Sequence, residues 1–177
     1  ADEQQLGDHL EAALAETDRL GRIIEGLLVL SRAEGADATL ERSDVRAVIR
    51  ERCEHWEPLA HEHGVRLVVA IDDGPMSVLV VPTALEQIID NYIDNALDVA
   101  PRGSTITVGA EPVDDGVEIR VRDEGPGLSA EERAEAFGRF WRAEGANPGG
   151  TGLGLAIVKH IVSHHQGHLE ITSEIGV

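Results

Sequence analysis

Aromatic side chains are scarce in this sequence: Phe, Trp and Tyr together make up 3% of its 177 residues. A core must therefore rest on Val, Ile, Leu and Ala, which a hydrophobic content of 42% supplies in ordinary amount. Cysteine occurs once, at Cys53. That excludes an internal disulfide, and its place in a helical pattern suits a buried, passive thiol. No apolar run approaches the roughly 20 residues of a membrane-spanning helix, and Ala1-Asp2-Glu3 does not read as the start of a signal peptide. Positive charge is short as well. Fifteen Lys and Arg against 33 Asp and Glu leave a formal net charge of -18, which argues against nucleic acid as the main partner, since phosphate backbones are held by basic patches. Zinc spacing is lacking too: His61-Glu62-His63 and His164-His165-Gln166-Gly167-His168 do not form H-E-x-x-H.

What the chain does contain is periodicity that changes along its length. Leu10, Leu14, Leu20, Ile24, Leu27, Leu28 and Leu30 recur at spacings of three and four and predict one long helix over Leu6 to Arg32. Such a helix has more apolar surface than it can hide alone, so it needs a partner helix or a second chain. Gly35 to Ala38 reads as a linker, which divides the chain at residues 1–35 and 36–177. Beyond it, Val45 to His61 is amphipathic, and Val65 to Ile71 and Val78 to Val81 are β-branched runs. Pro82 suits the first turn of a helix continuing through Val99. Thr105 to Ala110 and Val117 to Val121 predict strands joined by Asp114-Asp115-Gly116. Residues Asp123 to Gly150 have little apolar periodicity and predict a mobile loop, with Ser129 and Glu132 forming a capping-box pattern inside it. A last helix is expected from Thr151 to about His165, and a strand from Leu169 to Thr172.

Three motifs punctuate that order. Asn91, Asn95 and Asp98, from N-Y-I-D-N-A and the turn after it, share one helical face at i, i+4 and i+7. Leu85, Ile89, Ile93 and Ala96 lie towards the other side and read as core. By itself the asparagine pair could be a solvated face. Asp123 leads through D-E-G-P-G into Gly125 and Gly127, which by itself could be an ordinary strand-ending turn. Gly150-Thr151-Gly152-Leu153-Gly154-Leu155 then opens a helix. Glycines bare the backbone N–H groups there and the helix dipole adds positive potential, which together make an anion site. No Gly-Lys-Ser/Thr follows, so it is not a P-loop, and no strand precedes it as in a dinucleotide fold.

In this order the motifs resemble the N, G1 and G2 boxes of the ATP-binding domain of bacterial sensor histidine kinases, members of the GHKL ATPase superfamily. Phe137 and Phe140 in A-F-G-R-F-W-R resemble the F box. The resemblance runs from about Ala36 to the end, and Asp18 to Arg32 resembles the second helix of the family's dimerisation hairpin. It implies an α+β chain: a two-layer α/β sandwich of the Bergerat type, with a mixed sheet carrying helices on one face, preceded by a long helix. It also implies one further strand after a glycine pair, a place at which this sequence stops with Gly176-Val177.

The implied ligands are ATP and Mg²⁺. By resemblance Asn95 is the Mg²⁺ ligand, and Asn91 stands where it could hold a metal-bound water or a phosphate. Gyrase and the mismatch-repair clamps carry a glutamate base at that place. An amide cannot deprotonate water, which favours transfer to an external acceptor over hydrolysis. Asp123 is the implied partner of the adenine amino group, with Gly125 and Gly127 letting backbone approach the base. Gly150, Thr151, Gly152, Leu153 and Gly154 are the implied phosphate turn. Arg139 and Arg142 flank the F box and either reach the phosphates or stay solvated; Lys159 reads as surface. Asp98 departs from a common basic residue and should weaken phosphate binding unless it points away or Arg102 compensates.

An acceptor histidine is not evident. His9 is followed by Leu10 and Glu11 with no proline, on what resembles the second hairpin helix. The expected function is therefore transfer of the γ-phosphoryl of Mg-ATP to a histidine on a helix supplied by another segment. Expected partners are that acceptor hairpin, in a homodimer of the full protein, and a response regulator. Neither nucleic acid nor membrane contact is expected for this part, and its expected location is the cytoplasmic side of a membrane-anchored sensor. Two alternatives stay open: an anti-sigma-type protein serine kinase, and a non-catalytic module whose nucleotide only alters partner binding.

Overall fold

The computed structural model describes residues 21, 24, 39–143 and 150–175. Of the predicted N-terminal helix only Gly21 and Ile24 fall among them, and both are helical; the remainder of that helix, the linker and the dimerisation-like segment lie outside the described residues. The order is β1 (Glu41–Asp44), α1 (Val45–His63), β2 (Arg66–Ile71), β3 (Ser77–Val80), α2 (Ala84–Val99), β4 (Thr105–Val113), β5 (Gly116–Arg122), α3 (Ala130–Glu135) and α4 (Gly154–His164).

The strands form a three-stranded mixed sheet, β2 parallel to β4 and β4 antiparallel to β5, beside a two-stranded antiparallel ribbon of β1 and β3. Alternation along β4 turns Ile106, Val108 and Ala110 inward, and β5 answers with Val117, Ile119 and Val121. Onto this face pack α1, through Val45, Ile49 and Cys53, and α2, through Leu85, Ile89 and Ile93. Asp44 caps α1 by accepting from the Arg46 and Ala47 N–H groups. The core residues predicted on α2, Leu85, Ile89, Ile93 and Ala96, are all buried, with Ala84 and Leu97 added to them. An α+β architecture with helices on one face of a mixed sheet is what the family resemblance implied.

Burial pushes the Cys53 thiol up to about 11, because an apolar surround disfavours the thiolate. The native protein should therefore resist maleimide labelling at neutral pH, with labelling appearing only on addition of denaturant. Prompt labelling of the folded protein would contradict this burial. The same shift sets a pH dependence: the folded state favours the neutral thiol, so stability is lost as pH rises through the free-thiol range towards 11.

α2 is packed on two sides. The stripe Ala84 and Ile88 meets Leu153, just before α4, and Ile157 and Ile161 of α4, with Val80 and Val81 closing the seam. At its far end His165 donates from Nδ1 to the Ile161 carbonyl, at 2.7 Å, and accepts at Nε2 from the Val81 N–H, at 2.9 Å. One tautomer thereby ties the end of α4 to the strand leading into α2.

Several boundaries differ from the sequence expectation. Pro82 precedes α2 instead of opening it: Val81 to Ala84 form a turn closed by Ala84 N–H to Val81 O at 3.0 Å. Thr83 takes φ 67°, ψ -2° in that turn, and proline fits its second position. α4 begins at Gly154 rather than Thr151, because Gly152 at φ 67° cannot be helical and Thr151 Oγ1 accepts from the Leu153 N–H. β4 runs on to Val113, which pairs with Gly116, so the hairpin loop is only Asp114-Asp115. β1, which has no β-branched residue, was not expected. Leu169 to Thr172 is not a strand. Its continuation is tied elsewhere: Ser173 Oγ accepts from the Leu128 N–H and Ser173 O from Arg133 Nη1, at 2.7 and 3.2 Å.

Candidate active site

Most of the predicted site residues, all but Leu153 and Arg139, line one cleft that includes α2, the end of β5 and the start of α4. α2 supplies Asn91 and Asn95. Asn91 Nδ2 donates to the Gln87 carbonyl at 2.7 Å, which leaves its Oδ1 directed at Gly154. The Asn95 amide meets the same residue: a Cβ on Gly154 would stand 2.9 Å from Asn95 Nδ2, 3.0 Å from Asn95 Oδ1 and 3.1 Å from Asn91 Oδ1. Both amides thus press on the first residue of α4. That helix has no side-chain cap on its N-terminus among the described residues, so its first-turn N–H groups keep their anion-attracting character.

Asn95 Nδ2 is buried with no hydrogen-bond partner among the described residues. Sealing such a group costs about 1–3 kcal/mol. The amide therefore fits a site completed from outside the chain, with its nitrogen end donating to an anionic oxygen. The two orientations of a side-chain amide are sterically equivalent, so its oxygen can take the same place and face a cation.

Asp123 stands at the end of β5. Its Oδ1 accepts from the Gly125 N–H at 2.7 Å, while Gly125 is pressed against Val99 at the end of α2. The carboxylate is exposed, lines the cleft and has capacity for another donor. Gly127, at φ 77°, lies against the backbone of Glu174. Across the cleft the Phe140 N–H donates to Gly152 O at 2.8 Å, which ties the F-box turn to the glycine-rich turn. The capping box on α3 is present in both of its bonds, between Ser129 and Glu132.

The four basic residues separate. Arg142 lines the cleft beside Gly150. Arg139 instead lines a smaller hollow with Phe137 and Lys159, and the Lys159 ammonium lies 5.9 Å from the centre of the Phe137 ring. The Arg102 guanidinium packs on Gly64 at the end of α1. Leu153 is 1% exposed and serves the α2–α4 seam, leaving only its backbone to the site. Gly149, the first residue of the predicted run, lies outside the described residues.

Sequence reading missed the group that aims α2. Asp90 Oδ1 accepts from Arg52 Nε at 2.7 Å and Trp56 Nε1 at 2.8 Å, which fixes the rotation of the helix that carries Asn91. The signal was Arg52 and Trp56 at i, i+4 on one face of α1, a pair able to grip a single carboxylate.

The site is thus a paired-amide helix abutting a helix start with no side-chain cap among the described residues, with an acid-led turn at the other wall. Comparison with known proteins gives the family. Residues 80–177 match the model of the histidine kinase-, DNA gyrase B- and HSP90-like ATPases, and the chain belongs to that family. It is 37% identical over 172 residues to Sensor protein IrlS of Burkholderia pseudomallei, which covers 94% of this chain and 36% of the relative. It is 32% identical over 173 residues to Sensor-like histidine kinase SenX3 of Mycobacterium bovis, over 94% of this chain and 42% of that protein. The chain thus spans well under half of either. Among solved structures, full-length ShkA in complex with AMPPNP superposes with a TM-score of 0.78 at 29% identity, over 93% of this chain and 35% of that one. No helix among the described residues is long and apolar enough to cross a membrane.

Proposed function

We propose that this chain is the Mg-ATP-binding catalytic part of a two-component sensor kinase. It passes the γ-phosphoryl of ATP to a histidine on a dimerisation helix supplied by another segment. The observation that carries this reading is the asparagine pair seated on Gly154. Asn91 occupies the helical place from which a carboxylate would activate water, and an amide cannot take the proton. Hydrolysis is disfavoured, and positioning for an external nucleophile is what the arrangement offers.

In this reading the first turn of α4 and its glycines receive the phosphates, Asp123 takes the adenine amino group, and Asn95 is the residue that holds Mg²⁺. An amide oxygen suits that ion, which prefers oxygen ligands and keeps several waters. Bound there, the ion would neutralise phosphate charge. The imidazole nitrogen of the acceptor attacks the γ-phosphorus, the bond to the β,γ-bridging oxygen breaks, and ADP leaves. The similarity to sensor proteins supports a homodimeric full protein at the cytoplasmic face of a membrane, with a response regulator as the next acceptor.

Labelled ATP tests this directly. The chain alone is expected to carry no label, since His9 lacks an acceptor's acidic neighbour and proline, while an added acceptor hairpin of the family should gain acid-labile phosphate. Acid-labile phosphate on His9 itself, or transfer to serine of a protein partner, would overturn the reading.

A further inference from the structure

Two opposite charges converge on one glycine of the phosphate turn. The point a Cβ on Gly150 would occupy lies 3.2 Å from Asp98 Oδ2, 3.5 Å from Arg142 Nε and 3.6 Å from Arg142 Nη2. Asp98 comes from the site face of α2, one turn beyond Asn95, and Arg142 from the stretch that follows the F-box turn. Arg102, nearer to Asp98 in sequence, is committed to Gly64.

A carboxylate and a phosphate are interchangeable partners for a guanidinium, since both accept its planar pair of N–H groups. The two partners here differ in freedom. Asp98 follows Ala96 and Leu97, both buried, on a helix packed against the core on one face and α4 on another, so its backbone is held in place. Arg142 is exposed, two residues past the Phe140 tie to Gly152. The guanidinium is the part that can swing.

We propose that Asp98 competes with the phosphates of ATP for Arg142, so that nucleotide binds by drawing the guanidinium away from the carboxylate over Gly150. This rests on the reading of the cleft as the nucleotide site. It makes Asp98 an affinity-setting residue: its charge beside Arg142 over Gly150 holds the guanidinium back, and both the loss of that attraction and the repulsion of phosphate weaken binding.

The test is a double-variant cycle, with Mg-ATP titrated calorimetrically into the chain, Asp98→Asn, Arg142→Gln and the pair combined. Asp98→Asn should bind roughly fivefold tighter, the scale of one half-exposed charge pair. That gain should fall by more than half once Arg142 is replaced, because only the repulsion remains to be relieved. Without nucleotide, backbone exchange over residues 139–143 should quicken in both single variants. No gain in Asp98→Asn, an equal gain with and without Arg142, or unchanged exchange would each overturn the competition alone. If the wild-type chain binds no Mg-ATP at any concentration, the nucleotide-site reading fails and the competition fails with it.

Discussion

Gly154→Ala is expected to lower phosphoryl transfer to an added acceptor hairpin by about 100-fold, the cost of misplacing reacting groups by about an ångström. The protein should fold as before. The backbone at Gly154 does not adopt a left-handed conformation, so alanine meets no strain there, and alanine favours a helix over glycine by about 1 kcal/mol. Local propensity therefore predicts a neutral or slightly stabilising change. Space predicts the reverse for function. The new methyl would stand 2.9 to 3.1 Å from three amide atoms of Asn91 and Asn95, so those groups or the helix start must give way. Either the start of α4 moves off α2 or both amides rotate away, and the two walls of the phosphate site separate. A thermal melt within about 4 °C of wild type, combined with much weaker ATP binding, is the expected pair of results. Wild-type binding and transfer by Gly154→Ala would show that the contact between the amides and α4 has no bearing on nucleotide.

That contact also shows where the sequence was informative. Asn91 and Asn95 could be placed on one helix face by spacing alone, and Gly150 to Gly154 at a helix start by composition. Their meeting was beyond local reading, because it depends on α2 being packed on two sides at once. The α2–α4 seam of Ala84, Ile88, Leu153 and Ile157 sets that distance, through residues about 70 positions apart in the chain. The strands rich in β-branched residues, β2 to β5, were found to within a few residues. β1, which has none, was not. β1 is E-R-S-D and owes its strand form to its partner β3, from Glu41 opposite Val80 to Asp44 opposite Ser77. Leu169 to Thr172 keeps an alternating exposure, with Leu169 and Ile171 half-buried, yet has no laddered neighbour among the described residues. Pattern specifies which side chains face inward, and a strand also needs an adjacent backbone. Arg139 and Arg142 illustrate the same limit. Two arginines three residues apart looked equivalent in sequence, but the positive φ of Phe140 between them turns the chain, and they line different hollows.

Asp123→Asn is expected to weaken ATP binding by about 2 kcal/mol, or roughly 30-fold, and to erase the preference for ATP over GTP. The carboxylate has two acceptor oxygens. One is occupied by the Gly125 N–H at 2.7 Å, and the proposed adenine contact uses the other. Asparagine offers one oxygen and one amino group in their place. If its oxygen keeps the Gly125 N–H, the amino group faces the adenine amino group and two donors oppose each other. If the side chain flips, the donor clash moves to Gly125 and the turn is disturbed instead. Guanine reverses the sign of the first arrangement, because it presents a carbonyl where adenine presents an amino group, so the new amide can donate to it. Asn95→Ala makes the informative contrast: it should leave the ATP-over-GTP ratio intact while removing most of the dependence of binding on Mg²⁺. Calorimetry with both nucleotides, with and without Mg²⁺, separates the two. Equal ATP affinity in wild type and Asp123→Asn would remove Asp123 from the base site, and an unchanged Mg²⁺ dependence in Asn95→Ala would remove Asn95 from the metal.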